Sequence, residues 1–157
     1  MIKASVEPWI ETPLKQFVDE AGVSLALLLH PTGQVLAQHG FSRAMDIMSA
    51  CALAAAIHVS AAELGRQLEG KPFDSLHHAG KDRQIFLAEA QTARGTYIFL
   101  TVFDEDSSLG LVRMYFDEFR ANLAKAAPPP PDAPEPMLNE NFERELNRNL
   151  AVLFGRA

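Results

Sequence analysis

Apolar residues recur along this chain with two alternating periods, one near 3.6 and one near 2, and the switches between them mark the elements. From Pro8 to Ala21, Ile10, Leu14, Phe17, Val18 and Ala21 share one face at helical spacing, and Gly22 follows, a residue common just past a helix end. This predicts an amphipathic helix. Two apolar runs come next, VSLALLLH and QVLAQHG, joined by Pro31-Thr32-Gly33, where proline presets one dihedral and glycine accepts a positive one. They predict a β-hairpin. From Asp46 to about Leu68 the chain has no proline, abundant alanine and an acidic first residue, which predicts the longest helix. Beyond Gly70 and Pro72, the segments FDSLHHAG, RQIFLAEA and GTYIFLTVF are of strand length, with a turn expected over Gln91 to Arg94. Ser107 or Ser108 then caps a helix, LGLVRMYFDEFRANLAKA, whose Leu109, Val112, Phe116, Phe119 and Leu123 align.

Helix, two strands, helix, three strands and helix make an α+β domain over residues 1–126, and a five-stranded antiparallel sheet flanked by helices is its compact solution. Residues 127–137, beginning APPPPDAPEP, lack the amide donors for helix or sheet and favour an extended, semi-rigid spacer. Behind the spacer, residues 138–157 carry a stripe of Leu138, Phe142, Leu146, Leu150 and Leu153 or Phe154 flanked by charges, which predicts a C-terminal amphipathic helix. Such a short tethered helix buries its stripe only by docking on this domain, on a twin or in a partner's groove.

The helix at 46–68 has apolar positions on two faces, whereas packing on one sheet needs only one. Ile47, Ala50, Ala54, Ile57, Ala61, Leu64 and Leu68 are expected to cover the sheet. Nearly opposite lie Met45, Met48, Ala52, Ala55, Ala56 and Val59, with Glu63 and Arg66 continuing the row. An uncharged surface of small side chains, which lets another backbone approach closely, predicts self-association or partner binding there; burial of both faces within one fold is the alternative.

The net charge of −6, from 14 basic and 20 acidic residues, gives no electrostatic footprint for phosphate backbones or anionic lipid. Neither nucleic acid nor a membrane is therefore expected as a partner. No stretch of 18 or more apolar residues is expected to span a bilayer, and a cytoplasmic protein is expected. The single cysteine, Cys51, lies in an alanine-rich segment and reads as a buried, inert thiol.

Candidate chemistry is sparse. The chain has no GxGxxG opening a helix, no P-loop, no GxSxG, no HExxH and no paired CxxC, so no catalytic residue, cofactor or metal is expected. His77 and His78 are neighbours on a strand and point to opposite faces, which does not suit chelation of one ion. Asp104, Glu105 and Asp106 precede a helix start, where negative charge is favoured without a bound cation.

Several strings, VSLALLLHPTGQVLA, ACALAAAIHVSAAELG, FDSLHHAGKDRQIFL and FLTVFDEDSSLGLVRMYF, taken in this order, resemble the roadblock/dynein light chain superfamily and, within it, the MglB-like bacterial GTPase-activating proteins. The likeness covers about residues 10 to 125, and the proline-rich spacer with its short terminal helix extends it. The resemblance implies a roadblock-type sandwich with a tethered C-terminal helix. It also implies a homodimer joined through edge strands, with the paired second helices forming a platform, two copies per small Ras-like GTPase. The platform maps onto Met48, Ala52, Ala55, Ala56, Val59, Glu63 and Arg66, and the docking stripe onto Leu138, Phe142, Leu146, Leu150, Leu153 and Phe154. The function implied is regulation of cell polarity through GTPase activation without an enzymatic group of its own, the terminal helix modulating nucleotide exchange. A scaffold dimer that tethers a GTPase without changing hydrolysis is the alternative.

Overall fold

The structure, a computed structural model, describes residues 7–40 and 46–130 together with 144, 148 and 149; the predicted docking stripe of the C-terminal segment, and Met45, lie outside the described residues. Eight elements follow in the expected order. They are α1 (Pro8–Ala21), β1 (Leu25–Leu29), β2 (Val35–Gly40), α2 (Ile47–Glu69), β3 (Ser75–Ala79), β4 (Gln84–Thr92), β5 (Gly95–Phe103) and α3 (Leu109–Ala126).

The strands form one antiparallel sheet in the order β2-β1-β5-β4-β3. β1 and β5 are central, and every residue of β1 is buried. Side-chain alternation divides that burial between two layers. Ala26 and Leu28 join Phe86, Ala88, Ala90, Tyr97, Phe99 and Phe103 beneath α1 and α3. Leu25, Leu27 and Leu29 join Leu87, Ile98, Leu100 and Val102 beneath α2. The first layer is the larger and is aromatic: Phe99 meets Phe17 edge-on at 4.8 Å and lies 4.9 Å from Phe116.

Local chemistry fixes the ends of the elements. Asp46 accepts from the amides of Met48 and Ser49 at the start of α2, and Ser108 accepts from Leu111 N at the start of α3. Ser107 instead donates to the carbonyl of Ala21, tying the start of α3 to the end of α1. The β4–β5 turn is tighter than expected. β4 continues to Thr92, which pairs with Gly95, and Thr92 Oγ1 accepts from Arg94 N at 3.0 Å.

β3 is shorter than its apolar run suggests, because the chain before Ser75 is used elsewhere. Residues 71–73 pass under the last turns of α2, where a Cβ on Gly65 would stand 2.5 Å from Phe73 N and 2.9 Å from Lys71 O. Only glycine permits that approach. β3 consequently pairs with residues 84–88 of β4 and leaves residues 89–92 paired on one side alone.

α2 is also, by length and composition alone, apolar enough to cross a membrane. Scattered Ser49, His58 and Ser60 hide this from a search for an unbroken apolar run. Here α2 lies on the sheet through Cys51, Ala54 and Ala55.

Candidate functional site

α2 presents a narrow stripe of small side chains to the sheet. Cys51, Ala54, Ala55, Ala62 and Gly65 are buried, Ile47 is partly so, and His58 reaches down to Glu89 of β4. The opposing sheet layer is built from leucine, isoleucine and valine, so the helix can approach only where its own side chains are small. The expected sheet-facing set is corrected accordingly: Ile47 and Ala54 keep their places, while Ile57, Leu64 and Leu68 are exposed. Ala55 is corrected in the opposite sense. At 7 % exposure it belongs to the core beneath α2 and not to the outer platform.

Two apolar flanks therefore stand free on the described chain. At 100° per residue, Met48, Ala52, Ala56 and Val59 line one, with Glu63 and Arg66 at its far end. Ala50, Leu53, Ile57, Ala61, Leu64 and Leu68 line the other. Between them runs a polar ridge of exposed Ser49, Ser60 and Gln67. Met48 is 81 % exposed and Leu68 is 68 % exposed, so most of each side chain lies in water. Contiguous apolar surface of this kind is what protein interaction sites present.

The two flanks differ in chemistry. The first is lined by small residues and ends in an exposed ion pair, Arg66 to Glu63 at 3.1 Å. The second carries four large aliphatic side chains and no charge. The first holds the predicted platform residues Met48, Ala52, Ala56, Val59, Glu63 and Arg66 together on one side, without Ala55. Size alone assigns the bulky second flank to the core, and no periodicity argument distinguishes the two.

His58 is a second feature hidden from the sequence. Its Nε2 donates to Glu89 Oε1 at 2.7 Å, 31 residues away, and pins the middle of α2 to β4 just where β3 stops. Cys51 is buried, and that burial raises its thiol pKa above the ordinary value. A thiol held protonated is a poor nucleophile. Asp46 moves the other way: hydrogen bonds from the Ser49 side chain and then its amide lower its carboxyl pKa, as a cap should. The neighbouring histidines part as strand geometry requires, His77 stacking on Phe103 and donating to Gln84 Oε1 at 2.7 Å while His78 is exposed. Among the described residues no three His, Cys, Asp or Glu side chains converge as metal ligands.

Comparison with known proteins adds the family. Myxococcus xanthus MglB superposes with a TM-score of 0.69 at 20 % identity, over 77 % of this chain and 96 % of that one. MglB from Thermus thermophilus gives 0.64 at 24 % identity, over 76 % and 88 %. A Roadblock/LC7 domain from Streptomyces avermitilis gives 0.60 at 16 % identity, over 77 % and 97 %. These likenesses establish a common fold. No curated protein sequence matches the chain. The Roadblock/LC7 domain profile, however, matches residues 10–104, from the first helix to the end of β5, and the chain belongs to the Roadblock/LC7 family.

Proposed function

We propose that this chain is a homodimeric regulator of a small Ras-like GTPase of the MglA kind, activating GTP hydrolysis by docking and not by supplying a catalytic group. The observation that carries the reading is the pair of exposed apolar flanks on α2. One surface to bury in a twin and another to present to a partner is what a dimeric platform requires. Leu53, Ile57, Leu64 and Leu68 suit a permanent interface, which is typically the more apolar kind. Met48, Ala52, Ala56 and Val59, ending in Glu63 and Arg66, suit a partner that comes and goes. Two-fold pairing gives the dimer two copies of that flank.

Activation then follows from population shift. A GTPase whose switch segments sample aligned and misaligned arrangements is accelerated by any surface that binds the aligned one better. The exposed Arg66–Glu63 pair stands at the end of that flank, where it can meet a polar rim on the partner. The C-terminal segment, tethered by its proline spacer, engages the bound GTPase and modulates exchange.

The test is phosphate release by a cognate Ras-like GTPase loaded with GTP, with this chain at saturation. Acceleration of at least about tenfold, the low end of what GTPase activators achieve, supports the reading. Demonstrated binding with unchanged hydrolysis assigns tethering instead.

A further inference from the structure

The flank of α2 that carries Met48 and Arg66 is not bounded by helix residues alone. The turn joining β1 to β2 is seated against it, since a Cβ on Gly33 would stand 3.4 Å from Ala52 Cα and 3.7 Å from the carbonyl oxygen of Cys51. His30, Pro31, Thr32 and Gln34 are exposed on that turn and continue the surface of Met48 and Ala52 beyond the helix.

The main chain holds the turn in one shape. His30 N donates to Gln34 O and Gly33 N donates to His30 O, both at 2.8 Å. The His30 ring is fixed in turn by its neighbour. The amide of Thr32 donates to His30 Nδ1 at 3.2 Å, and Thr32 Oγ1 lies 2.9 Å from the same nitrogen. An amide N–H only donates, so Nδ1 carries the lone pair and the proton of the neutral ring is on Nε2. Among the described residues none accepts from Nε2. His30 therefore offers a directed donor to whatever covers this flank, and a ring already ordered by the backbone loses little freedom when it is used.

Direction is what the flank otherwise lacks. Apolar contact is non-directional and leaves a partner free to turn or slide on it. Polar groups bracket the apolar stretch, with His30 beside Ala52 and the Arg66–Glu63 pair at the far end. From Ala52 to Arg66 the helix runs ~21 Å at ~1.5 Å per residue. An apolar centre with a polar rim is the usual anatomy of an interface.

We propose that His30 is a contact residue of the GTPase dock. Its Nε2–H donates to an oxygen acceptor, a carbonyl or carboxylate, that the partner presents next to its apolar contact with Met48 and Ala52. The inference rests on the proposed function and adds a second element to the dock, the β1–β2 turn, which sets how the GTPase is oriented on α2.

The test is the affinity of the full-length protein for a GTP-loaded cognate Ras-like GTPase, measured by titration calorimetry. His30→Ala should bind about tenfold more weakly, the loss of one hydrogen bond, whereas Met114→Ala on α3 should bind as the unaltered protein does. Side-chain footprinting of the unaltered protein gives a second reading that no folding defect can imitate. Labelling of His30 and Pro31 should be lost at saturating GTPase, while His78 on β3 is labelled as in the free protein. Equal affinity of His30→Ala and the unaltered protein overturns the inference, as does undiminished labelling of His30 in the complex. Binding that His30→Ala weakens supports the contact whether or not hydrolysis is accelerated, so contact and activation fail separately. Absence of binding by the unaltered protein overturns the proposed function and the contact with it.

Discussion

Gly65→Ala should destabilise this protein, although the same change in an exposed helix ordinarily stabilises. In a helix interior, alanine is favoured over glycine by about 1 kcal/mol. At position 65 the added methyl would stand 2.5 Å from Phe73 N and 2.9 Å from Lys71 O, both backbone atoms that cannot rotate aside. Overpacking of this severity costs about 3 kcal/mol, so the net loss is about 2 kcal/mol. For a chain of this length that corresponds to a fall in Tm of about 4–8 °C. Gly110→Ala is the matched control, because its methyl would meet nothing nearer than Ser108 Oγ at 3.9 Å. It should leave Tm unchanged or raise it. Thermal unfolding followed by circular dichroism reads both variants on the same scale. A higher Tm for Gly65→Ala would refute the close passage of residues 71–73 beneath α2, and with it the placement of the far half of that helix.

The platform makes sharper predictions. Ala55→Arg and Ala56→Arg differ by one position, yet the first buries a charge in the α2 core and should cost more than about 3 kcal/mol, while the second should stay within about 0.5 kcal/mol by urea unfolding. Ala56→Arg should nonetheless abolish GTPase binding, measured by titration calorimetry. Leu64→Glu with Leu68→Glu should convert dimer to monomer by light scattering without lowering Tm below that of the separated subunit, since both side chains are exposed. Asp46 has a carboxyl pKa lowered in the fold, so its cap stabilises α2 above the ordinary aspartate range and is lost as pH falls through the lowered value. Asp46→Asn should flatten that acid limb of the Tm profile while keeping the neutral-pH fold.

Most of the fold is legible in the residues, because α1, the first hairpin and α3 each declare a period and a stop. Gly22 with φ of 69° ends α1, and Ser108 begins α3, as their sequence positions announce. α2 is different. Beyond Ile47 its large residues point away from the sheet, because Leu27, Leu87 and Leu100 already fill that layer and the small Cys51, Ala54 and Ala55 come close. A stripe read by bulk alone is therefore rotated, and it places Leu64 and Leu68 inside and Ala55 outside. The candidate flank is legible as an uncharged helix face, and of its expected members only Ala55 is buried against the sheet. The division of the exposed surface into two flanks is not legible, since that depends on which third of the helix the sheet occupies. Nor can the sequence show that residues 71–73 leave the strand to pass under Gly65, a tertiary contact that shortens β3 and opens the edge of β4.

The outer side of α2 is proposed as the dock for a GTPase, and footprinting of the complex tests this most directly. With a GTP-loaded Ras-like partner bound to the dimer, Met48, Ala52, Ala56 and Val59 should be protected from side-chain labelling, while Leu111 and Met114 on exposed α3 stay as reactive as in the free dimer. Protection on α3 with the α2 flank unchanged would contradict the account.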